Sequence, residues 1–223
     1  MAPSKHKTFV IAAVALIIIL ASISSFEFFE SYVTNPIRVA CVGDSITRGT
    51  EYTIDLWKSL GPKYVVGDLG VSGAAVAQIT GMDYPRQQAF QVALNFKPNI
   101  VIIMLGTNDA LSTLNETNTA FIADYTVLIH SFQSLSTKPA IWLVEPPPIF
   151  NNTLTYSNNI LNQNVIPNIR QVANQTHTHL IDANTPLINH PELYVDGIHP
   201  NADGAAVIAH KIYSSLISQG NTE

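Results

Sequence analysis

The six residues from Ile100 to Leu105 form an unbroken apolar run whose length suits a β-strand. A strand with one face in water alternates apolar and polar residues, so a run without polar residues predicts a strand that is buried on both faces. Strands of this kind occur inside parallel sheets that helices cover on both sides. The run therefore predicts an α/β fold with a central parallel strand.

Four other segments also have strand character, and helical segments separate the strands from one another. The predicted strands are Ile37–Gly43, Lys63–Leu69, Ile100–Leu105, Pro139–Val144 and Thr178–Asp182. The predicted helices are Glu51–Leu60, Ala74–Ile79, Tyr84–Asn95, Thr117–Leu135, Asn158–Gln175 and Asn201–Leu216. This alternation predicts a five-stranded parallel sheet between two layers of helices, a three-layer α/β/α sandwich.

Charge is sparse in this chain, since charged residues make up only 12% of it and the formal net charge is −5. The few Lys and Arg are scattered, so we expect no nucleic acid partner, which would require a basic surface. Cys41 is the single cysteine and lies within the first predicted strand. An internal disulfide and a cysteine zinc site are therefore excluded, and we expect Cys41 to be a small buried residue.

The N-terminal 36 residues are expected to be a targeting segment followed by a short linker. Lys5 and Lys7 precede an uncharged run of about 18 residues, Phe9 to Phe26, which is near the lower limit for spanning a bilayer. The run is long for a signal-peptide core, so we expect an uncleaved membrane anchor, with a cleaved signal peptide as the alternative. The charges on either side of the run orient the following domain outside the cytoplasm.

Residues 37–218 are predicted to form one domain, and residues 219–223 a tail. Three N-x-[ST] sequons, at Asn115, Asn151 and Asn174, are compatible with export to a compartment where such sites are glycosylated. The sequence indicates no oligomeric state.

Polar clusters that contain glycine follow the first three predicted strands. They are Gly43-Asp44-Ser45, Leu69 to Gly73, and Gly106 to Asp109. The carboxyl ends of parallel strands meet at one edge of a sheet, and ligands bind outside that edge. We therefore expect Ser45 to be exposed at a binding edge, where it needs a base to take its proton and donors to stabilise an oxyanion.

Asp196 and His199 are candidates for that base and its partner. They lie three residues apart in the loop before the last predicted helix. The carboxylate can hydrogen-bond one imidazole nitrogen and leave the other free to take the Ser45 proton. Candidate oxyanion donors are the backbone N–H groups of Ser45 and Gly70 and the side-chain amide of Asn108. Glycine suits position 70 because no side chain blocks a ligand that approaches the N–H.

These segments resemble, in order, the four sequence blocks of the SGNH hydrolases, the GDSL-like lipases and esterases. The matching segments are Gly43-Asp44-Ser45-Ile46-Thr47, Gly70, Gly106-Thr107-Asn108-Asp109 and Asp196-x-x-His199. The resemblance covers the chain from about Ile37 to Leu216. Two departures are minor: Ile46 stands where leucine gave the family its GDSL name, and Asp68 occupies a position that is often asparagine.

The resemblance implies a flavodoxin-like three-layer fold with a five-stranded parallel sheet. It implies Ser45 as the nucleophile, His199 as the base and Asp196 as the group that orients the base. The oxyanion hole would consist of Ser45, Gly70 and Asn108, and no metal or organic cofactor is implied. We expect a serine esterase that acts through an acyl-enzyme on short-chain, acetyl esters of carbohydrates. A lysophospholipase or thioesterase with longer acyl substrates is the alternative, and a non-catalytic glycan-binding module is the alternative outside enzymes.

Other readings of the same residues are less consistent with the sequence. A metallophosphoesterase needs a D-x-H pair and a G-N-H cluster, and an α/β-hydrolase needs a G-x-S-x-G elbow; the chain contains none of these. His177 and His179 are interpreted as surface residues rather than metal ligands. Asp44 is interpreted as a buried partner that supports the nucleophile loop rather than a second catalytic acid.

Overall fold

The computed structural model describes residues 14, 16–23, 35–78, 81–114 and 117–218. The chain divides into two compact units, Met1–Pro36 and Ile37–Glu223. In the first unit, residues 14 and 16–23 are helical and exposed. Among the described residues, no helix is both long enough and apolar enough to cross a membrane. Half of the predicted apolar segment and the whole of the predicted tail lie outside the described residues.

The second unit contains a five-stranded parallel sheet with the strand order β2-β1-β3-β4-β5. The strands are β1 (Ile37–Gly43), β2 (Tyr64–Gly70), β3 (Ile100–Met104), β4 (Ala140–Glu145) and β5 (His179–Asp182). Each predicted strand is present, with ends that differ by at most one residue from the prediction. The β1 register pairs Gly43 with Gly70 on one side and with Met104 on the other, so the ends of these three strands lie side by side.

Six α-helices pack around the sheet within the described residues from 37 onward. They are α1 (Ser45–Gly49), α2 (Tyr52–Leu60), α3 (Gln88–Asn95), α4 (Asn118–Gln133), α5 (Ile166–Thr176) and α6 (Ala202–Ser218). A helical turn, Asn158–Ile160, and a π-helical segment, Leu161–Val165, lead into α5. Helix α4 begins after Thr117, whose side-chain oxygen accepts a hydrogen bond from the Ala120 N–H.

Side chains of β3 divide between two apolar cores, one on each face of the sheet. Val101 and Ile103 pack with residues of α3, α4 and α5, whereas Ile102 and Met104 pack with residues of α1, α2 and α6. All five residues of β3 are buried. The predicted three-layer α/β/α sandwich and its doubly buried central strand are therefore confirmed.

The helix predicted for Ala74–Ile79 is wrong for the part that the structure describes, which is irregular from Ala74 to Ala77. The backbone N–H groups of Val76 and Ala77 donate to the carboxylate of Asp109, at distances of 2.8 to 3.1 Å. This side chain replaces the carbonyl acceptors that a helix would supply, so the apolar side chains of the segment became buried without a helix. The next predicted helix, Tyr84–Asn95, is divided into a 3₁₀ turn, Tyr84–Arg86, and α3.

Candidate active site

The tight junction between β1 and α1 fixes the position of Ser45. The side chain of Asp44 caps α1 by accepting a hydrogen bond from the Ile46 N–H at 2.8 Å. A β-carbon on Gly43 would lie 2.0 Å from Thr47 Oγ1 and 2.8 Å from the backbone oxygen of Met104, so only glycine fits at the turn. Ser45 is consequently the first residue of a helix at the carboxyl edge of the sheet, and it is partly exposed.

Ser45, His199 and Asp196 form a continuous chain of hydrogen bonds. The Nε2 atom of His199 lies 2.8 Å from Ser45 Oγ, and Nδ1 lies 2.7 Å from Asp196 Oδ2. An ionised carboxylate only accepts hydrogen bonds, so the proton of the neutral ring belongs on Nδ1 and Nε2 is free to accept the serine proton. The structure therefore brings the predicted nucleophile, base and orienting carboxylate together.

The carboxylate of Asp196 also organises the loop that carries the base. Its Oδ1 atom accepts hydrogen bonds from the backbone N–H groups of Ile198 at 2.9 Å and His199 at 2.8 Å. Burial raises the pKa of Asp196, but these bonds and the contact with the imidazole outweigh burial, and the pKa is lowered from its ordinary value. Asp196 is therefore ionised at neutral pH and available to stabilise a protonated imidazole.

Asn108 is brought into the cleft, where it lies with Ser45 and His199. Its Nδ2 atom donates to the backbone oxygen of Ala74 at 2.8 Å, and its Oδ1 atom accepts a hydrogen bond from the hydroxyl of Tyr156 at 2.9 Å. A side-chain amide has two N–H groups. One of them remains for a ligand oxygen after Ala74 is satisfied.

Gly70 requires a correction, because the structure does not bring it into the cleft with Ser45. Its N–H donates to Asp68 Oδ1 at 3.1 Å. Asp68 is the residue that stands where the family often has asparagine, and its carboxylate already accepts the hydrogen bond of this N–H. A β-carbon at this position would lie 2.5 Å from the backbone nitrogen of Arg48 and 2.8 Å from the backbone oxygen of Asp44. Glycine is needed here because α1 packs directly on the end of β2.

Gly73 is the glycine that lines the cleft beside Ser45 and Asn108. Its φ of 79° lies in the left-handed region that favours glycine. Among the described residues, none accepts a hydrogen bond from its backbone N–H. Sequence analysis missed this residue, although the Val-Ser-Gly segment that follows β2 ends on it. A glycine required for its φ and a glycine required for space look the same in a sequence.

Comparison with known proteins places this site in a family. The sequence profile of the GDSL-like lipase/acylhydrolase family matches residues 41–207, a range that includes all the residues described above. The chain belongs to this family. Its predicted resemblance to the SGNH hydrolases, the GDSL-like lipases and esterases, is confirmed.

The chain is also similar to individual proteins of known sequence or structure. An acetylxylan esterase from Xylanibacter ruminicola is 30% identical over 206 residues, covering 81% of this chain and 43% of that protein. This chain thus spans less than half the length of that relative. A carbohydrate acetylesterase from Sinorhizobium meliloti (TM-score 0.66, 19% identity) and the aryl esterase of M. smegmatis (TM-score 0.65, 20% identity) share its fold; each comparison covers 82% of this chain and 99% of the other.

The loop between β4 and the helical turn at Asn158 forms one wall of the cleft and contributes Leu154 and Tyr156. Asn152 holds this loop together. Its Oδ1 accepts hydrogen bonds from the N–H groups of Leu154 and Tyr156, and its Nδ2 donates to the backbone oxygens of Phe150 and Tyr156. Sequence analysis predicted neither a helix nor a strand for this segment, because an asparagine-centred turn has no periodic pattern.

Two buried carboxyl groups, those of Asp44 and Asp109, bind backbone segments next to the site. Burial raises the pKa of Asp44 to about 7, although the hydrogen bond from Ile46 lowers it. Burial also raises the pKa of Asp109 to about 6, against the hydrogen bonds from Val76 and Ala77. Both groups bind backbone N–H donors, so each fixes a segment that reaches the cleft.

The remaining candidate residues lie away from this cleft. His177 is exposed and ends α5, and the ring of His179 stacks on Trp142 with centroids 4.2 Å apart. No group of three or more potential metal ligands occurs in the described part of the chain. Of the sequon asparagines, Asn151 and Asn174 are exposed, while Asn115 lies outside the described residues.

Proposed function

We propose that this protein is a serine esterase that removes acetyl groups from carbohydrate hydroxyls through an acyl-enzyme. The observation that carries the proposal is the chain from Ser45 Oγ through His199 to Asp196, with distances of 2.8 and 2.7 Å. This arrangement has the geometry of a nucleophile with its general base and orienting carboxylate.

In the first step, Ser45 Oγ attacks the ester carbonyl carbon while its proton moves to His199 Nε2. The negative charge on the carbonyl oxygen is bound by the backbone N–H groups of Ser45 and Gly73 and by the free N–H of Asn108. When the tetrahedral intermediate collapses, His199 returns the proton to the departing alcohol and Ser45 retains the acyl group. Water then repeats the sequence, with His199 as base, and releases the carboxylic acid and the free serine.

The shape of the cleft favours a small acyl group on a polar alcohol. The cleft has a volume of about 310 Å³, and its apolar side chains are Leu154, Tyr156 and Ile198. Leu154 is 55% exposed, so this wall is short and open to water. Such a wall can cover a methyl group, whereas a long alkyl chain would need a deeper apolar pocket. The acetylesterase relatives support the same substrate class.

A series of p-nitrophenyl esters from C2 to C16 tests the acyl preference directly. We expect kcat/KM to peak at C2 to C4 and to fall for longer chains. A maximum at C8 or beyond would favour the lysophospholipase or thioesterase alternative. If the folded protein hydrolyses none of the esters but binds oligosaccharides, the non-catalytic glycan-binding module is favoured. Release of acetate from an acetylated oligosaccharide, measured by NMR, then tests the alcohol.

The pH dependence of the rate tests the role of the base. A protonated imidazole cannot accept the proton of Ser45, so we expect the rate to fall as the pH is lowered from 8 to 5. A rate that rises over the same interval would contradict His199 as the base.

We also propose that the segment from Phe9 to Phe26 acts as a membrane anchor that holds the catalytic domain outside the cytoplasm. The uncharged run and the flanking charges support this location. Full-length protein should remain with membranes after an alkaline carbonate wash. Recovery of a shortened chain outside the cell would instead indicate a cleaved signal peptide, and recovery of the full chain in the cytosol would refute both.

A further inference from the structure

Tyr156 makes a contact with the site that the proposed chemistry does not use. Its hydroxyl donates to Asn108 Oδ1 at 2.9 Å, on the opposite side of the amide from the bond between Nδ2 and the oxygen of Ala74. Both ends of the amide group are therefore held. Rotation of the amide by 180° would place its oxygen against the carbonyl oxygen of Ala74 and its N–H₂ group against the Tyr156 hydroxyl.

The hydrogen bond from Tyr156 has two chemical consequences for Asn108. It fixes the amide plane, so the second N–H of Nδ2 keeps one direction before a substrate arrives. It also withdraws electron density through the conjugated amide, which makes that N–H more positive and a stronger donor to a developing oxyanion. A preorganised donor stabilises the transition state without paying for its orientation during the reaction.

The backbone around Tyr156 is built to hold this position. The Ser157 N–H donates to the oxygen of Ala110 at 3.0 Å, and the Ser112 N–H donates to the oxygen of Thr155 at 3.2 Å. These bonds join the Tyr156 segment antiparallel to the residues that follow Asn108. Backbone hydrogen bonds therefore tie the segment that carries Tyr156 to the segment that begins at Asn108.

Tyr156 stays protonated under ordinary conditions. Partial burial raises the pKa of its hydroxyl above the usual value, and the nearby carboxyl of Asp44 raises it further. The phenol is therefore a hydrogen-bond donor at neutral pH.

We propose that Tyr156 is a positioning residue for the oxyanion hole, which orients and polarises the Asn108 side chain without touching the substrate's reacting atoms. The proposal rests on the proposed esterase function, because Asn108 must bind an oxyanion for its orientation to affect the rate. It assigns a mechanistic role to a loop for which the sequence predicted no helix or strand.

Steady-state kinetics of Tyr156→Phe, Asn108→Ala and the double variant test this role. Asn108→Ala should lower kcat by about 10²- to 10³-fold, the usual effect of removing an oxyanion donor. Tyr156→Phe should lower kcat by roughly 3- to 10-fold with KM nearly unchanged, because a neutral hydrogen bond contributes about 1 kcal/mol. In the Asn108→Ala background, Tyr156→Phe should have no further effect.

Tyr194→Phe is the matched control. It removes a phenol hydroxyl that is buried and has no hydrogen-bond partner among the described residues, so its kcat should stay at the wild-type value. Equal rate losses from Tyr156→Phe in both backgrounds, or a rise in KM with kcat unchanged, would overturn the proposal.

A second measurement does not depend on activity. The side-chain amide signals of Asn108, assigned by their loss in Asn108→Ala, should move upfield in an ¹H–¹⁵N spectrum of Tyr156→Phe and stay in place in Tyr194→Phe. Unchanged signals in Tyr156→Phe would overturn the proposal. Failure of the proposed function is seen separately, as the absence of ester hydrolysis by wild-type protein or the full retention of hydrolysis by Ser45→Ala.

Discussion

Replacement of Asp196 by asparagine should prevent His199 from acting as a base while the loop that carries it keeps its structure. The new Oδ1 atom can still accept the backbone N–H groups of Ile198 and His199, which lie 2.9 and 2.8 Å from the present Oδ1. The new N–H₂ group, however, would stand 2.7 Å from His199 Nδ1, where Oδ2 is now. An amide N–H there donates to Nδ1, so the ring proton moves to Nε2 and points at Ser45.

The wrong tautomer cannot take the serine proton, and the imidazolium that forms later loses its carboxylate partner. In serine hydrolases with a buried carboxylate, this change lowers kcat about 10⁴-fold. The Asp196 side chain is 47% exposed, so water replaces part of the lost stabilisation. We therefore expect Asp196→Asn to lower kcat by about 10²- to 10⁴-fold, which corresponds to roughly 3 to 5.5 kcal/mol in activation free energy.

The assay is initial-rate hydrolysis of p-nitrophenyl acetate, with the melting temperature as a check on folding. The chain offers a matched control, since His190 Nδ1 lies 2.8 Å from Glu192 Oε1 at an exposed position in the same loop. Glu192→Gln makes the same change of acid to amide beside a histidine, and its activity should equal that of wild type. A folded Asp196→Asn variant that loses less than threefold in kcat would refute the reasoning about the tautomer.

Two further predictions concern the support of the nucleophile. Gly70→Ala should lower both stability, by about 1 to 3 kcal/mol, and esterase activity, because its β-carbon would lie 2.5 Å from the backbone of α1. Gly67→Ala in the same strand is the control, because its β-carbon would lie no closer than 3.5 Å to side-chain atoms; equal thermal unfolding and activity of the two variants would contradict the packing account. For Asp44, the folded-state pKa of about 7 exceeds the ordinary 3.8, so the folded protein binds this proton more tightly and its ionisation destabilises the fold as the pH rises from about 4 through 7. Asp44→Asn keeps an oxygen for the Ile46 N–H and should reduce the fall in melting temperature between pH 5 and 8; a fall as large as that of wild type would contradict burial as the cause.

The sheet could be predicted because its strands depend on local patterns. The apolar run that forms β3 favours a strand whose two faces are both covered by helices. The neighbouring strands are also marked by apolar residues. The convergence of Ser45, Asn108 and His199 followed from topology, since each follows a strand or precedes the last helix. These inferences needed no knowledge of side-chain contacts.

The errors occurred where a distant side chain decides the local structure. Ala74 to Ala77 lacks a helix because Asp109, more than 30 residues away, binds its N–H groups. Gly70 was assigned to the oxyanion hole, but glycine is required there by its contacts with α1. A sequence does not show such contacts. Tyr156 received no role because its partner Asn108 is 48 residues away. Contacts of this kind carry no periodicity and no spacing rule.

The central claim, that Ser45 is a nucleophile activated by His199, is tested most directly with a fluorophosphonate probe and intact-protein mass spectrometry. Wild-type protein should gain the mass of one probe, and peptide mapping should place it on Ser45 rather than on Ser72, which lines the same cleft. Ser45→Ala should gain none, and His199→Ala should react far more slowly. A folded wild-type protein that stays unlabelled, or labelling that survives in Ser45→Ala, would contradict the account.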